Sequence, residues 1–120
     1  MKKVGLIVRS KQELIYKYLE ATKSLHRLTG KEIEVLTEFI LTYLDLKEKV
    51  LDEELLYKLL FSGETRSNIM EKTGVVKSNL SVIEKKFNKI GIFKDGKINK
   101  AIIPNIKDGV IDVLFRVKLK

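Results

Sequence analysis

Residues 66–97 read RSNIMEKTGVVKSNLSVIEKKFNKIGIFKDGK, and the order of signals in this stretch decides the fold. A short helical pattern carrying Arg66, Ile69 and Met70 stops at Thr73-Gly74, where glycine accepts the left-handed backbone that a tight turn needs. A second helix is expected at once, about residues 76–90, with Leu80 and Ile83 at core spacing. Ile90, Ile92 and Phe93 then give way to Lys94-Asp95-Gly96-Lys97. Asp-Gly is a favoured type I′ hairpin pair because both central positions need positive φ. Ile98 and residues 101–103 are expected to form the returning strand.

Upstream, Thr29-Gly30-Lys31-Glu32 has the form of a capping box and predicts a helix start. Ile33, Leu36, Phe39, Ile40, Tyr43 and Leu44 supply its buried stripe, with Glu34 and Glu38 on the opposite, solvated face. Asp52 offers an N-cap for the next helix, whose Leu55, Leu56, Leu59 and Leu60 are expected to face the core. Ser62-Gly63 breaks that helix, and Ser62 caps the one leading to Gly74.

The two ends read differently. Val4, Leu6 and Val8 alternate with Lys3, Gly5, Ile7 and Arg9 as in a short strand. Leu14, Ile15, Tyr18, Leu19 and Leu25 then recur at helical spacing, giving strand then helix over residues 3–25. After Pro104, Ile111, Val113, Phe115, Val117 and Leu119 alternate with Asp112, Leu114, Arg116 and Lys118 as a half-buried strand. The expected fold class is mainly α with small β and extra N- and C-terminal strands.

At 120 residues and 44% hydrophobic content the chain suits one core. We expect a single domain over 1–120, with the N-terminal strand and helix over 1–28, the main unit over 29–103 and the C-terminal strand over 104–120. There is no Cys and a single His26, so the sequence holds no disulfide, no thiolate metal site, no plausible zinc cluster and no Ser/His or Cys/His nucleophile. His26 reads as a surface or internally satisfied histidine, and Glu32, Glu34 and Glu38 as a solvated helix face. No catalysis, cofactor or metal is expected. Arg9 and Lys11 interrupt the apolar N-terminus before a signal-peptide core or membrane span could form, which predicts a cytoplasmic protein without membrane contact.

Net charge is +8 and unevenly spread. Residues 1–30 carry seven Lys/Arg against two Asp/Glu, residues 31–64 four against nine, and residues 65–120 thirteen against five. Basic ends around an acidic middle are the electrostatic footprint expected of a nucleic-acid binder. The 20 Lys against four Arg also suit a low-GC genome.

Aligned to a general helix-turn-helix template, Arg66 to Lys85 places Gly74 at the turn, with Ile69, Met70, Val75, Leu80 and Ile83 at core positions. With the hairpin, the chain thereby resembles the winged helix-turn-helix superfamily. LTGKEIEVLTEF (residues 28–39) followed by GVVKSNLSVIEKKFNKIGIFKDGKI (residues 74–98) is similar to regulators of the multiple-antibiotic-resistance type. The LFS-x-x-TR segment at residues 60–66 is similar to small winged-helix proteins of tailed phages. Met70 stands where the template usually has Ala, and Val76 where it usually has Ser or Thr. The long terminal helices through which those regulators dimerise have no counterpart.

The resemblance implies double-stranded DNA as partner. Lys77, Ser78, Asn79, Ser81 and Lys85 would form the outward face of the second helix, Asn79 pairing with adenine and the lysines with guanine or phosphate. Lys94 and Lys97 would flank the wing tip, and Arg66 and Lys72 would sit by the backbone beside the first helix. Arg66 is alternatively an ion-pair partner of Glu64 or Glu71. The first expectation is thus a sequence-specific or general DNA-binding protein, a transcriptional regulator or replication accessory of a bacterium or its phage. The alternative is a winged-helix component of a phage virion, a collar or tail-ring protein. It would act through a homo-oligomer or other phage structural proteins, using its terminal strands and exposed Val76 and Val82.

Overall fold

The computed structural model describes residues 10–104, 106–107 and 110–111. Among the described residues six helices precede the strands: α1 (Lys11–Ala21), α2 (Lys23–His26), α3 (Gly30–Lys49), α4 (Glu53–Leu60), α5 (Gly63–Thr73) and α6 (Lys77–Ile90). A hairpin of β1 (Phe93–Lys94) and β2 (Lys97–Ile98) follows, then a 3₁₀ turn (Lys100–Ile102) and a second hairpin of β3 (Ile106–Lys107) and β4 (Val110–Ile111). Both hairpins are antiparallel, so the architecture is mainly helical with small β elements.

Local chemistry sets the helix starts. Thr29 Oγ1 accepts from the Glu32 amide at 3.2 Å while the Glu32 carboxylate accepts from the Thr29 amide at 2.8 Å, completing the predicted capping box. Ser10, Asp52 and Ser62 cap α1, α4 and α5 through their side chains. Gly74 ends α5 with φ 73°, and its amide donates to Met70 O at 2.8 Å.

Helix α3 is the spine, packing against α1, α4 and α5. Its first half is buried nearly all round, through Ile33, Val35, Leu36, Thr37, Glu38, Phe39 and Ile40, because neighbours cover it on several sides. The aromatic side chains lock the hairpin onto this spine. Phe93 of β1 meets Phe39, Phe61 and Phe87 edge-on, each at a centroid distance of 5.1 Å. Phe93 pairs across the hairpin with buried Ile98, and Asp95 (φ 55°) and Gly96 (φ 72°) make the turn with the positive φ values that the sequence predicts. Burying a phenylalanine contributes on the order of 2–3 kcal/mol, which orients a two-residue strand pair too short to be stable alone.

Several expectations need correction. The first helix does not run to residue 25. Thr22 turns its hydroxyl back to Tyr18 O and Leu19 O, the chain breaks into α2, and Leu25 is exposed. Glu38 is buried, not solvated. On α4, Leu56 and Leu60 are buried with Tyr57, whereas Leu55 and Leu59 face outward, because the eight-residue helix covers the core with one narrow stripe. The returning strand stops at Ile98. Asn99 Oδ1 accepts from the Ala101 amide at 3.0 Å and curls residues 100–102 into the 3₁₀ turn. Beyond Pro104, Ile111 is in a strand as expected, paired with Ile106 in a hairpin that the alternation did not foretell. The expected strand over residues 3–8 and the rest of the final strand lie outside the described residues.

Candidate nucleic-acid interface

Helix α6 buries Leu80, Ile83 and Phe87 and turns the opposite side outward. Lys77, Ser78, Asn79, Ser81 and Lys85, the five positions singled out on this helix, are all exposed. Their spacing follows from the amphipathic pattern, since positions 77, 81 and 85 stack one turn apart on the side away from the core. Ser81, Lys85 and Asn88 line one wall of a depression of about 420 Å³, with Gly96 of the hairpin tip and Phe93 on another. Helix and hairpin therefore border the same groove. Asn88 was not anticipated, although extending the 77–81–85 row by one turn on the same helix would have found it.

The start of α6 differs chemically from the other long helices. Val76 occupies the N-cap and offers no side-chain bond, and the first turn carries no acidic residue, with Lys77 at its head. The free amides there carry partial positive charge, and a lysine beside them adds to it instead of compensating it. An anion placed at this end would relieve both.

Ion pairing divides the lysines and arginines of this region into two groups. Arg66 Nε donates to Glu84 Oε1 at 2.9 Å and Arg66 Nη1 donates to Phe61 O at 2.7 Å, so it joins α5 to α6. Glu64 and Glu71, the partners considered from sequence, are not used. Lys72 Nζ lies 3.6 Å from Glu38 Oε2, and Gln12 Nε2 donates to Glu38 Oε1, which gives the buried carboxylate two partners. Lys97 Nζ sits 3.6 Å from Glu53 Oε1 and 6.0 Å from the Tyr57 ring centre, turned toward α4. By contrast Lys77, Lys85, Lys89 and Lys94 make no hydrogen bond or ion pair among the described residues. Of the nine positions named from sequence, the five on α6 and Lys94 are open to solvent and unengaged by a partner charge, while Arg66, Lys72 and Lys97 are held by carboxylates.

Two further contacts fix the helix pair on the spine. Lys86 Nζ donates to Glu32 Oε1 at 2.8 Å, tying α6 to α3, and Lys31 Nζ donates to Thr73 O at 2.9 Å, tying the end of α5 to α3. Burial alone would raise the Glu32 pKa, but the Lys86 ammonium and the Thr29 amide and hydroxyl outweigh it and hold the carboxyl below its ordinary value of 4.5. This glutamate thus serves as cap and as tether at once, which its place in a capping box did not reveal.

On the α4 side of the hairpin, the Tyr57 hydroxyl is buried and forms no hydrogen bond of normal geometry, with the Tyr43 phenol and the Ile98 backbone as its polar neighbours. Burial first, then the Tyr43 phenol and the Glu53 carboxylate, push its pKa up to about 12, with the Ile98 backbone pulling the other way. His26 is internally satisfied: Nε2 lies 2.8 Å from Leu19 O and Nδ1 accepts from the Leu28 amide at 3.1 Å. Among the described residues no three His, Asp or Glu side chains converge as metal ligands, and no helix is long and apolar enough to cross a membrane. No family model, curated protein or solved structure matches the chain.

Proposed function

We propose that α5, α6 and the β1–β2 hairpin work as a winged helix-turn-helix, and that the protein binds double-stranded DNA by laying α6 in the major groove with the hairpin on the flanking backbone. The carrying observation is the partition of charge. Lys77, Lys85 and Lys89 on α6 and Lys94 of the hairpin are free, while Arg66, Lys72 and Lys86 are tied to carboxylates, two of these pairs, Arg66–Glu84 and Lys86–Glu32, holding α6 in place. Lysines that have no internal partner to give up can neutralise phosphates at little structural cost. The uncapped, lysine-headed start of α6 supports the same reading, since a phosphate would satisfy its amides. Asn79 is the candidate for base contacts and Lys77, Lys85 and Lys94 for phosphates. A regulator or replication accessory is the functional class.

A mobility-shift assay on a mixed-sequence duplex tests this. Lys77→Ala with Lys85→Ala should weaken binding by about 5- to 30-fold if each lysine supplies on the order of 0.5–1 kcal/mol, while Lys72→Ala should not. Equal binding by the double variant and the parent would refute it.

A second reading, a structural component of an assembly such as a phage virion collar or ring, is favoured by a different observation. Val76 and Val82 on α6, and Leu51, Leu55 and Leu59 around α4, are exposed apolar side chains on two separate faces.

A further inference from the structure

The two exposed apolar faces carry opposite charge. On α4, Leu55 is 47% exposed, and Leu51 before the helix and Leu59 one turn on extend it into a stripe. Asp52 at the N-cap and Glu53 and Glu54 in the first turn make the start of this helix acidic, with Lys58 as its one cation. On α6, Val82 is 64% exposed and Val76 stands open at the N-cap. Lys85 and Lys89 lie three and seven residues beyond Val82, and Lys77 follows Val76, all without an internal partner. The hairpin tip stands between the faces: Gly96 borders the depression on the α6 side and also the one lined by Glu53, Glu54 and Tyr57 on the α4 side.

From this we infer that the protein associates with a second copy of itself head to tail, the leucine stripe of α4 receiving the valine and lysine face of α6 from the next molecule. The pairing must be of unlike faces. Placing α6 on α6 would set lysines against lysines, and α4 on α4 would set carboxylates against carboxylates, both of which like-charge repulsion disfavours. The unlike pairing sets the exposed leucines against Val82 and the acidic start of α4 against Lys85 and Lys89. Such a contact leaves one α4 face and one α6 face open after every addition, so it continues into a ring or a filament according to the rotation between copies. The apolar contact offered by α6 is small, so the association is weak and reversible. The inference deepens the assembly reading and does not depend on DNA binding. Because α6 serves the second copy, a duplex on that helix would exclude it.

Light scattering after gel filtration, over a concentration series reaching the millimolar range, tests the inference. The parent chain should rise in mass beyond twice that of the monomer. Leu55→Glu and Val82→Glu, each at an exposed position, should each remain monomeric alone, because each lacks one of the two faces. Mixed in equal amounts they should form a complex of twice the monomer mass that grows no further, since the intact α6 face of the first variant meets the intact α4 stripe of the second. Circular dichroism checks that both variants are folded, and Leu59→Glu or Lys85→Glu replaces whichever is not. A parent that stays monomeric throughout, a variant that associates as the parent does, or a mixture that forms no complex overturns the inference. Duplex binding separates the two accounts: Leu55→Glu should keep it, and a parent that fails to bind duplex would count against the DNA reading alone.

Discussion

Arg66 Nε donates to Glu84 Oε1 across 2.9 Å, linking the two helices that meet at Gly74. Its Nη1 also holds Phe61 O at 2.7 Å, so the guanidinium is committed on two sides to the packing of α5 and α6. The resemblance gives this residue a place by the DNA backbone; in the structure its guanidinium braces α5 against α6.

Arg66→Ala should therefore lower stability by about 1–2 kcal/mol, because Glu84 and a backbone carbonyl lose a charged donor in a half-buried setting. Lys72→Ala should lower it by about 1 kcal/mol by removing a cation from buried Glu38, the side chain of Lys72 being itself well exposed. Neither change should reduce duplex affinity as far as loss of Lys77 and Lys85 does. Urea denaturation paired with fluorescence anisotropy on labelled duplex separates the two effects.

Glu32 gives a pH signature in acid. Its folded carboxyl titrates below 4.5, so its contribution is present in full above that value and is lost as pH falls through the lower, folded value. Glu32→Gln should keep an acceptor for the Thr29 amide yet lose the ion pair with Lys86. Stability at neutral pH should drop by roughly 0.5–1 kcal/mol, and the acid-side loss should become shallower. Denaturation midpoints measured from neutral pH down to about pH 3 would show it.

Much of the fold was legible beforehand, and the misses have physical causes. Caps and turn residues are local, so Thr29, Asp52, Ser62, Gly74 and Asp95-Gly96 announced four helix boundaries and the hairpin. The outward face of α6 followed from its period. What failed was non-local. Nothing near Glu38 in sequence says that Gln12 and Lys72, 26 and 34 residues away, will close over it, and nothing near Arg66 points to Glu84. Which lysines are free is likewise decided by tertiary neighbours, so charge counts alone could not separate Lys77 from Lys72. The outward Leu55 and Leu59 were misread because a leucine run in a short helix does not say which leucines the neighbouring spine can cover.

Tyr57 predicts a gain of stability from a deletion. Its hydroxyl is buried and makes no hydrogen bond of normal geometry, so Tyr57→Phe removes a desolvated polar group without opening a cavity and should stabilise by about 0.5–1 kcal/mol at neutral pH. The folded phenol titrates near 12 against an ordinary value of 10.0. Its contribution therefore holds below pH 10 and is lost as pH rises from 10 toward 12. Thermal melts of parent and variant at neutral pH and at about pH 10.5 should show the parent losing more.

If the free lysines of α6 neutralise phosphates, the salt dependence of duplex affinity measures it directly. Fluorescence anisotropy titrations across a salt series should give a steep linear fall of log affinity with log salt. The slope should shrink by about 1.8 in Lys77→Ala with Lys85→Ala, about 0.9 for each phosphate left without its lysine. An affinity indifferent to salt, or a slope that the double variant leaves unchanged, would contradict it.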